Sequence, residues 1–258
     1  MFKSVYNFLR LLRVLRILAQ HDALFMMNEM ERAPVHIKLG LLLLPLFAIG
    51  TKSSKHLRRG ERLAQALQEL GPSFIKLGQA LSVRSDLLGE EVTQDLGNLR
   101  DKLPPFSFDD AKATIEFELG TELADLYVSF DETPVAAASI AQVHFAQTEE
   151  RIAAPTDEDP DAYDVVRRKV AVKVLRPGIE EAFERDLKLF FWIADMVERF
   201  QPAFRRLRLR KMVEILEQSV SLEMDLRLEA AAAAEMGENF ADDPDFDVPV
   251  IDWQRTGK

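Results

Sequence analysis

A lysine inside an apolar segment is the first feature of the sequence that indicates chemistry. Residues 169–175 contain Val170-Ala171-Val172-Lys173 and end before Pro177-Gly178, a pattern that predicts a β-strand. A lysine ammonium removed from water needs a partner, because burying an unpaired charge is costly. Two partners suit Lys173: the phosphates of a nucleotide, or a carboxylate on a nearby helix.

A run of small residues precedes this lysine. It comprises Val135, Ala136, Ala137, Ala138, Ser139, Ile140, Ala141, Gln142 and Val143. Small side chains between two strands allow backbone N–H groups to approach a phosphate closely. Strand, small-residue loop, strand and then a lysine strand is the order found in the N-terminal lobe of a protein kinase. The sequence therefore predicts a nucleotide site made by residues 135–143 and Lys173.

Further motifs stand in a fixed order around these two. They are Lys76-Leu77-Gly78-Gln79 followed by Ser82, Arg84 and Asp86; the strand exit Arg176–Ile179; Glu223-Met224-Asp225; and Glu229 before an alanine run. With the alanine-rich loop and the lysine strand, they resemble the KxGQ, ExD and related elements of the UbiB family, atypical kinase-like proteins of ubiquinone biosynthesis. The resemblance runs from about residue 60 to the end. It departs at Ala232, where the family often has asparagine.

The resemblance implies a role for each motif. Lys173 would hold the nucleotide phosphates and pair with Glu229; the alternative for Glu229 is an ordinary solvated helix charge. The alanine run beside Glu229 favours a packed helix face. The implied cofactor is ATP or ADP with Mg²⁺, whose protein ligands would lie in a C-terminal lobe.

The KxGQ and ExD residues would be regulatory: Lys76, Gly78, Gln79, Glu223 and Asp225. Lys76 and Gln79 are three residues apart and share one helix face, which in similar proteins folds over the active site. Glu223 and Asp225 are two residues apart and cannot share a face. One of them can therefore point toward the site while the other caps a helix or pairs elsewhere.

Several expected parts of a complete enzyme do not occur in the sequence. No catalytic-loop aspartate, metal-binding asparagine or DFG-type aspartate follows Glu229. We therefore interpret the chain as the N-terminal portion of a UbiB-like protein, without a catalytic residue or metal site of its own and inactive alone. The histidines, His21, His36, His56 and His144, lack metal-ligand spacing, and His144 is expected to be structural.

The charge distribution predicts a membrane-associated N-terminus. Residues 1–62 hold 11 basic and 4 acidic side chains, whereas the remainder holds 22 and 39. Arg10, Arg13 and Arg16 recur on one stripe of an apolar helix over 2–19, and the uncharged run 39–51 is too short to span a bilayer. These segments suit a helix at an anionic membrane surface; the alternative is ordinary packing on the body. The net charge of −10 argues against nucleic-acid binding.

The predicted fold is α+β, a kinase-like N-terminal lobe with a helical KxGQ extension and no C-lobe. We assign residues 1–56 to membrane-associating helices, 57–120 to the KxGQ extension and 121–258 to the lobe, ending before the hinge. Helices are predicted over 57–70 with a stop at Gly71-Pro72, over 73–88, over 109–119 with a cap at Ser107 and Asp110, over 179–197, and from the basic patch 205–211 to about 235. Strands are predicted over 126–130, 140–145, 169–175 and 248–253, and a surface loop over 149–164.

The sequence favours two functions over a third, a small-molecule phosphotransferase lobe unrelated to quinones, which the KxGQ element argues against. The first is an ATP-binding kinase or ATPase segment that supports ubiquinone biosynthesis on the cytoplasmic face of a bacterial inner membrane. The second is a non-catalytic scaffold that binds the membrane and quinone-biosynthesis enzymes or lipid precursors.

Overall fold

The computed structural model describes residues 2–25, 56–99, 103–153, 163–200 and 202–258. The chain divides into two compact units, 1–101 with 180–220 and 102–179 with 221–258. We call them the helical unit and the sheet unit. The described residues combine helices with an antiparallel sheet, which confirms the predicted α+β class. The units do not follow the predicted ranges, since residues 103–120 belong with the sheet and residues 180–220 with the KxGQ extension.

The described elements follow one another in this order: α1 (Phe2–Gln20), α2 (Arg59–Leu70), α3 (Pro72–Leu81), α4 (Ser85–Leu88), α5 (Glu90–Gly97), α6 (Phe108–Leu119), α7 (Leu123–Leu126), β1 (Ser129–Phe130), β2 (Ala136–Ala137), β3 (Ala141–Ala153), β4 (Tyr163–Leu175), α8 (Ile179–Phe200), a 3₁₀ helix (Pro202–Leu207), α9 (Leu209–Glu223), α10 (Leu226–Asn239) and a 3₁₀ turn (Trp253–Arg255).

The helical unit is organised around the junction of α2 and α3. Gly71 lies between them with φ +106°, a conformation that L side chains rarely adopt, and Pro72 begins the next helix. Phe74 of α3 meets Phe190 of α8 edge to face, with ring centroids 5.0 Å apart. The KxGQ helix is thereby anchored to a segment more than a hundred residues later in the chain.

The three arginines predicted to share one stripe of α1 have different surroundings. Arg10 pairs with the Asp186 carboxylate and donates to the Arg185 carbonyl at 2.6 Å, so it joins α1 to α8. Arg13 and Arg16 are exposed. Position 10 differs because α8 supplies a carboxylate there, which the sequence of α1 does not reveal.

In the sheet unit, β3 is the central strand. The short strands β1 and β2 pair with one edge of it, and β4 pairs with the other edge from Ala141↔Leu175 to Ala153↔Tyr163. Helix α6 begins at the predicted cap, where the Ser107 hydroxyl accepts from the Asp110 N–H at 3.1 Å. The buried core under the sheet comprises Ala111, Ile115, Leu123, Tyr127, Ala146 and Val174.

Two predicted helices are each divided in the structure. The helix expected over 73–88 stops after Leu81, where the Ser82 hydroxyl donates to the Gln79 carbonyl at 2.7 Å, and resumes at Ser85. The long helix expected from the basic patch to about residue 235 is interrupted at Met224, because Asp225 caps α10. In both places a side-chain hydrogen bond to the backbone competes with continuation of the helix.

The strand predictions also need correction. Residues 123–126 form a helical turn, so only Ser129–Phe130 of the first predicted strand is extended. Within the segment predicted as a loop over 149–164, residues 149–153 and 163–164 are strand, and residues 154–162 lie outside the described residues. Ion pairs across the hairpin, Arg167 with Glu149 and Arg168 with Glu150, compensate for its polar composition. No strand forms over 248–253, which is irregular and ends in a 3₁₀ turn.

Candidate nucleotide-binding site

An ion pair between β4 and α10 is the central feature of the candidate site. The Lys173 ammonium donates to Glu229 Oε1 at 2.7 Å and also contacts the second carboxylate oxygen. Glu229 lies in the first turn of α10, where the helix dipole favours a negative charge. The predicted pair is confirmed. It is more exposed than expected, since 38% of the Lys173 side chain and 60% of the Glu229 side chain are accessible.

Lys173 belongs to a row of residues that crosses three strands. Val143 of β3 lies directly opposite Lys173 of β4 and directly opposite Ala136 of β2. Cross-strand partners project from the same face of a sheet. The structure thus brings the predicted alanine-rich segment and the predicted lysine onto one surface.

The alanine-rich segment is a tight hairpin rather than the open loop predicted. Ala138 N–H donates to the Ala141 carbonyl at 2.8 Å, which closes a turn at Ser139-Ile140, and Val135 N–H donates to the Val143 carbonyl at 2.8 Å. Neither Ser139 nor Ile140 has a positive φ, so the turn does not need glycine. The N–H groups of Val135 and Ala138 are used inside the hairpin and do not await a phosphate.

Burial divides the predicted site residues into two groups. Ser139, Ile140, Ala141 and Gln142 are buried, whereas Val135 and Ala136 are exposed and Ala137, Ala138 and Val143 are half-buried. The Ser139 side chain is fully buried, and its hydroxyl has no hydrogen-bond partner. A buried hydroxyl without a partner carries a desolvation cost.

Arg176 holds this turn from the end of β4. Its N–H donates to the Ile140 carbonyl at 2.7 Å, and its guanidinium donates to the carbonyls of Ser139 at 3.4 Å and Pro104 at 2.9 Å. The guanidinium also lies 5.2 Å from the centre of the Phe106 ring. Burial lowers the pKa of Arg176, although a guanidinium stays charged in proteins. The sequence identified Arg176 only as a motif residue, since its partners are distant in the chain.

A buried polar chain supports the turn from the other side. Phe106 N–H donates to Gln142 Oε1 at 3.0 Å, and Gln142 Nε2 lies 2.9 Å from His144 Nε2. His144 Nδ1 lies 2.7 Å from the Asp131 carbonyl oxygen. Because that carbonyl can only accept, Nδ1 carries the proton and Nε2 accepts from Gln142. His144 is structural, as predicted, and the Gln142 side chain is committed to packing the turn.

The KxGQ residues lie in the helical unit, on α3. Gly78 is buried, and a Cβ there would lie 2.7 Å from Leu67 Cδ1 and 2.8 Å from Leu99 Cδ2. Lys76 and Gln79 are half-buried. Close packing with Leu67 and Leu99 therefore explains the glycine of this motif. Regulation of a nucleotide site by Lys76 and Gln79 stays a prediction.

The arginine and aspartate that follow the KxGQ helix form a bidentate ion pair. Arg84 Nε and Nη2 each donate to an oxygen of Asp86 at 2.7 Å. The hydrogen bonds that Arg84 donates to Asp86 lower the pKa of Asp86 and raise the pKa of Arg84. Arg84 Nη1 also lies 3.7 Å from Met212 Sδ on α9, so this pair fixes the end of the motif within the helical unit.

The two acidic residues of the ExD element take different positions. Glu223 is the last residue of α9. Asp225 is the N-cap of α10, accepts from the Arg227 N–H at 3.2 Å and pairs with its guanidinium. The hydrogen bond from Arg227 lowers the pKa of Asp225. The expectation that one acid caps a helix is confirmed, and the cap places Glu229 one turn into α10.

Neither a metal cluster nor a membrane span occurs in the part of the chain that the structure describes. No three His, Asp or Glu side chains there are grouped to hold a metal ion. No described helix is both long enough and apolar enough to cross a bilayer. The predicted interfacial run 39–51 and His36 lie outside the described residues.

Comparison with known proteins identifies the family of this chain. The profile of the ABC1 atypical kinase-like domain matches residues 98–155 and 161–258, more than half of the chain. This chain belongs to the ABC1 atypical kinase-like family. The match begins just after α5 and includes the alanine-rich hairpin, Lys173 and Glu229, whereas the KxGQ residues on α3 lie outside it. The resemblance to the UbiB family is confirmed by relatives that carry this name.

Three such relatives are each named probable protein kinase UbiB. The protein of Marinobacter nauticus is 36% identical over 251 residues, which are 96% of this chain and 42% of the relative. That of Cellvibrio japonicus is 34% identical over 249 residues, which are 96% of this chain and 41% of the relative. That of Xanthomonas campestris pv. campestris is 40% identical over 200 residues, which are 78% of this chain and 34% of the relative. This ABC1 chain thus spans about two fifths of the length of the first two relatives.

Proposed function

We propose that this chain is the nucleotide-binding part of an atypical kinase or ATPase that supports ubiquinone biosynthesis. The observation that carries the proposal is the ion pair between Lys173 and Glu229, whose charged groups are 2.7 Å apart. Lys173 lies on β4 directly opposite Val143 of the alanine-rich hairpin. A lysine on a strand, held by a glutamate of a helix, is the arrangement that positions nucleotide phosphates in kinase lobes. Family membership and the UbiB relatives support the same function.

The residues on this face of the sheet offer an adenine nucleotide only a few contacts. Two hydrogen bonds of the Lys173 ammonium go to Glu229, and an ammonium has three donors, so one remains for a phosphate oxygen. Ala136 and Val143 offer a small apolar surface beside it. Arg176 and Gln142 keep the turn in place. When bound, Mg²⁺ would neutralise phosphate charge, and we assign its protein ligands to parts of the enzyme beyond this chain.

The test is ATP binding by calorimetry with two matched lysine variants. Lys173→Ala should abolish measurable binding. Lys169→Ala should retain it, because Lys169 is on the same strand but stacks on the Phe145 ring, 3.8 Å from its centre. Equal affinity in both variants and the wild type would refute the proposal.

A second function, a non-catalytic scaffold, is favoured by the closed hairpin. Two backbone donors expected to meet phosphates are used internally. The two functions differ in the full-length protein, where Lys76→His or Gln79→Ala should change ATP hydrolysis several-fold in an enzyme gated by the KxGQ helix. In a scaffold, phosphate release would stay at background in every variant and only the binding of partner enzymes would change.

We also propose peripheral contact with the cytoplasmic face of a bacterial inner membrane. Tyr6, Leu9, Arg13 and Arg16 are exposed and recur at helical spacing on α1. Apolar and arginine side chains on one exposed face suit the interface of an anionic bilayer. Quinone-biosynthesis enzymes or lipid precursors would be the partners met there.

A further inference from the structure

A group of cations in the helical unit belongs to none of the kinase-like motifs. Residues 205–211 join the 3₁₀ helix to α9 and read Arg-Arg-Leu-Arg-Leu-Arg-Lys. Four of these cations line an open cavity of about 300 Å³: Arg205, Arg208, Arg210 and Lys211. All four are exposed. In a chain with a net charge of −10, this is a local excess of positive charge.

Carboxylates near the cavity are already engaged. Glu198 and Glu214 also line it. The Glu198 carboxylate accepts from the Arg210 N–H at 3.2 Å, so the first turn of α9 is capped by the protein itself. Glu214 lies 3.6 Å from Arg210 Nε and 3.2 Å from Lys211 Nζ, and Asp195 pairs with Arg210 at 2.7 Å. Asp195 and Glu214 therefore pair with Arg210 and Lys211, whereas the Glu198 carboxylate makes no ion pair with the described cations.

Arg205 and Arg208 are not neutralised in this way. Arg205 uses only its Nε, which donates to the Glu198 carbonyl at 3.0 Å, and it makes no ion pair with the described residues. Arg208 makes neither a hydrogen bond nor an ion pair through its guanidinium there, and its backbone has φ +50°. A left-handed backbone costs energy in a residue with a side chain. Two unneutralised guanidinium groups thus border one cavity.

We propose that this cavity binds a phosphate-bearing anion through Arg205 and Arg208. The planar guanidinium fork matches two phosphate oxygens and forms charge-assisted hydrogen bonds with them. The cavity is a wide, open depression of about 300 Å³, so it has room for a phosphate or pyrophosphate group that approaches from solvent. A soluble phosphate compound and a phospholipid headgroup share this chemistry.

The experiment measures pyrophosphate binding by calorimetry in the whole chain carrying Lys173→Ala, so that the proposed nucleotide site does not contribute. Into this background we introduce Arg205→Gln with Arg208→Gln, or Arg206→Gln alone. Arg206 is the matched control because it is an exposed neighbour that does not line the cavity. The double variant should bind at least about tenfold more weakly, since hydrogen bonds to charged groups are lost. The pyrophosphate affinity of the Arg206 variant should stay within about twofold of its parent, because the guanidinium groups of Arg205 and Arg208 are unchanged.

Vesicle binding distinguishes a phospholipid headgroup from a soluble phosphate compound as the ligand. Co-sedimentation is compared on phosphatidylcholine alone and on phosphatidylcholine with phosphatidylglycerol, with α1 unchanged in every variant and melting temperatures recorded. Binding of anionic vesicles but not pyrophosphate, lost only in the double variant, would support the site with a lipid headgroup as ligand. Equal losses in the double and Arg206 variants would show diffuse attraction and overturn the proposal. So would the absence of binding to both ligands.

Discussion

Lys173 and Glu229 are 56 positions apart in the sequence, and their charged groups meet at 2.7 Å. Both side chains remain substantially exposed to solvent. Exposed ion pairs contribute only about 0–1 kcal/mol to stability. The contact therefore matters for the position of the ammonium more than for the stability of the fold, and it can be altered without unfolding the protein.

Glu229→Gln should leave the melting temperature almost unchanged and weaken ATP binding. The amide has no charge to hold the ammonium near the alanine-rich hairpin, so the lysine samples other rotamers. Calorimetry with ATP and a thermal melt measure the two effects. Glu238→Gln, near the other end of the same helix, serves as the control. Full ATP affinity in Glu229→Gln would separate this ion pair from nucleotide binding.

Arg176→Ala should loosen the alanine-rich turn. The variant loses guanidinium hydrogen bonds to the Ser139 and Pro104 carbonyls, and each lost bond of this kind costs about 1–3 kcal/mol. Amide hydrogen exchange should become faster at Ala138, whose N–H closes the turn. Arg167→Ala, on the exposed part of β4, should not change that rate. Unchanged exchange in Arg176→Ala would show that the backbone alone maintains the hairpin.

Gly78→Ala should destabilise the helical unit relative to Gly97→Ala, because adding a methyl group to a filled core costs roughly 1–3 kcal/mol, whereas both substitutions gain a similar helix propensity. The new Cβ would lie within 3 Å of both Leu67 and Leu99. Gly97→Ala is the matched control, because it lies on a helix and a Cβ there meets nothing within 4 Å. Urea unfolding measures both. Equal stability of the two variants would contradict the packing explanation for the glycine.

Acid should weaken the cap of α10. The hydrogen bond from Arg227 lowers the pKa of Asp225 below its ordinary value of 3.8. A lowered folded-state pKa contributes stability above the unfolded-state value, and this contribution is lost as the pH falls through the folded-state pKa. The difference in stability between wild type and Asp225→Asn should therefore shrink below about pH 4. A stability difference between the two proteins that is constant from pH 7 to pH 2 would contradict this prediction.

Replacing Arg13 and Arg16 with glutamate should reduce binding to anionic vesicles. These two arginines are exposed on α1, and each basic residue near an anionic surface contributes about 1 kcal/mol. Salt at ~0.5 M should have a similar effect by screening. Arg167→Glu with Arg168→Glu is the control for total charge. Equal losses in both pairs, measured by co-sedimentation, would argue against α1 as the contact.

Short-range features of this chain followed from the sequence. The stop at Gly71-Pro72, the Ser107 cap of α6 and the lysine strand depend on neighbouring residues, so local rules predict them. The motif order also sufficed to indicate the family and the partner of Lys173. The hairpin arms over 149–153 and 163–164 were missed, because their polar residues become strand only through pairing with each other.

What the tertiary structure decided depends on contacts between distant segments. The sequence placed Arg10 with Arg13 and Arg16, but only the approach of α8 supplies Asp186 as its partner. Arg176 became a support of the hairpin because Pro104 and Phe106 lie beside it. Residues 180–220 joined the helical unit through contacts such as Phe74 with Phe190. Periodicity and capping report the interactions of a residue with its neighbours in the chain, whereas these contacts arise from packing between elements.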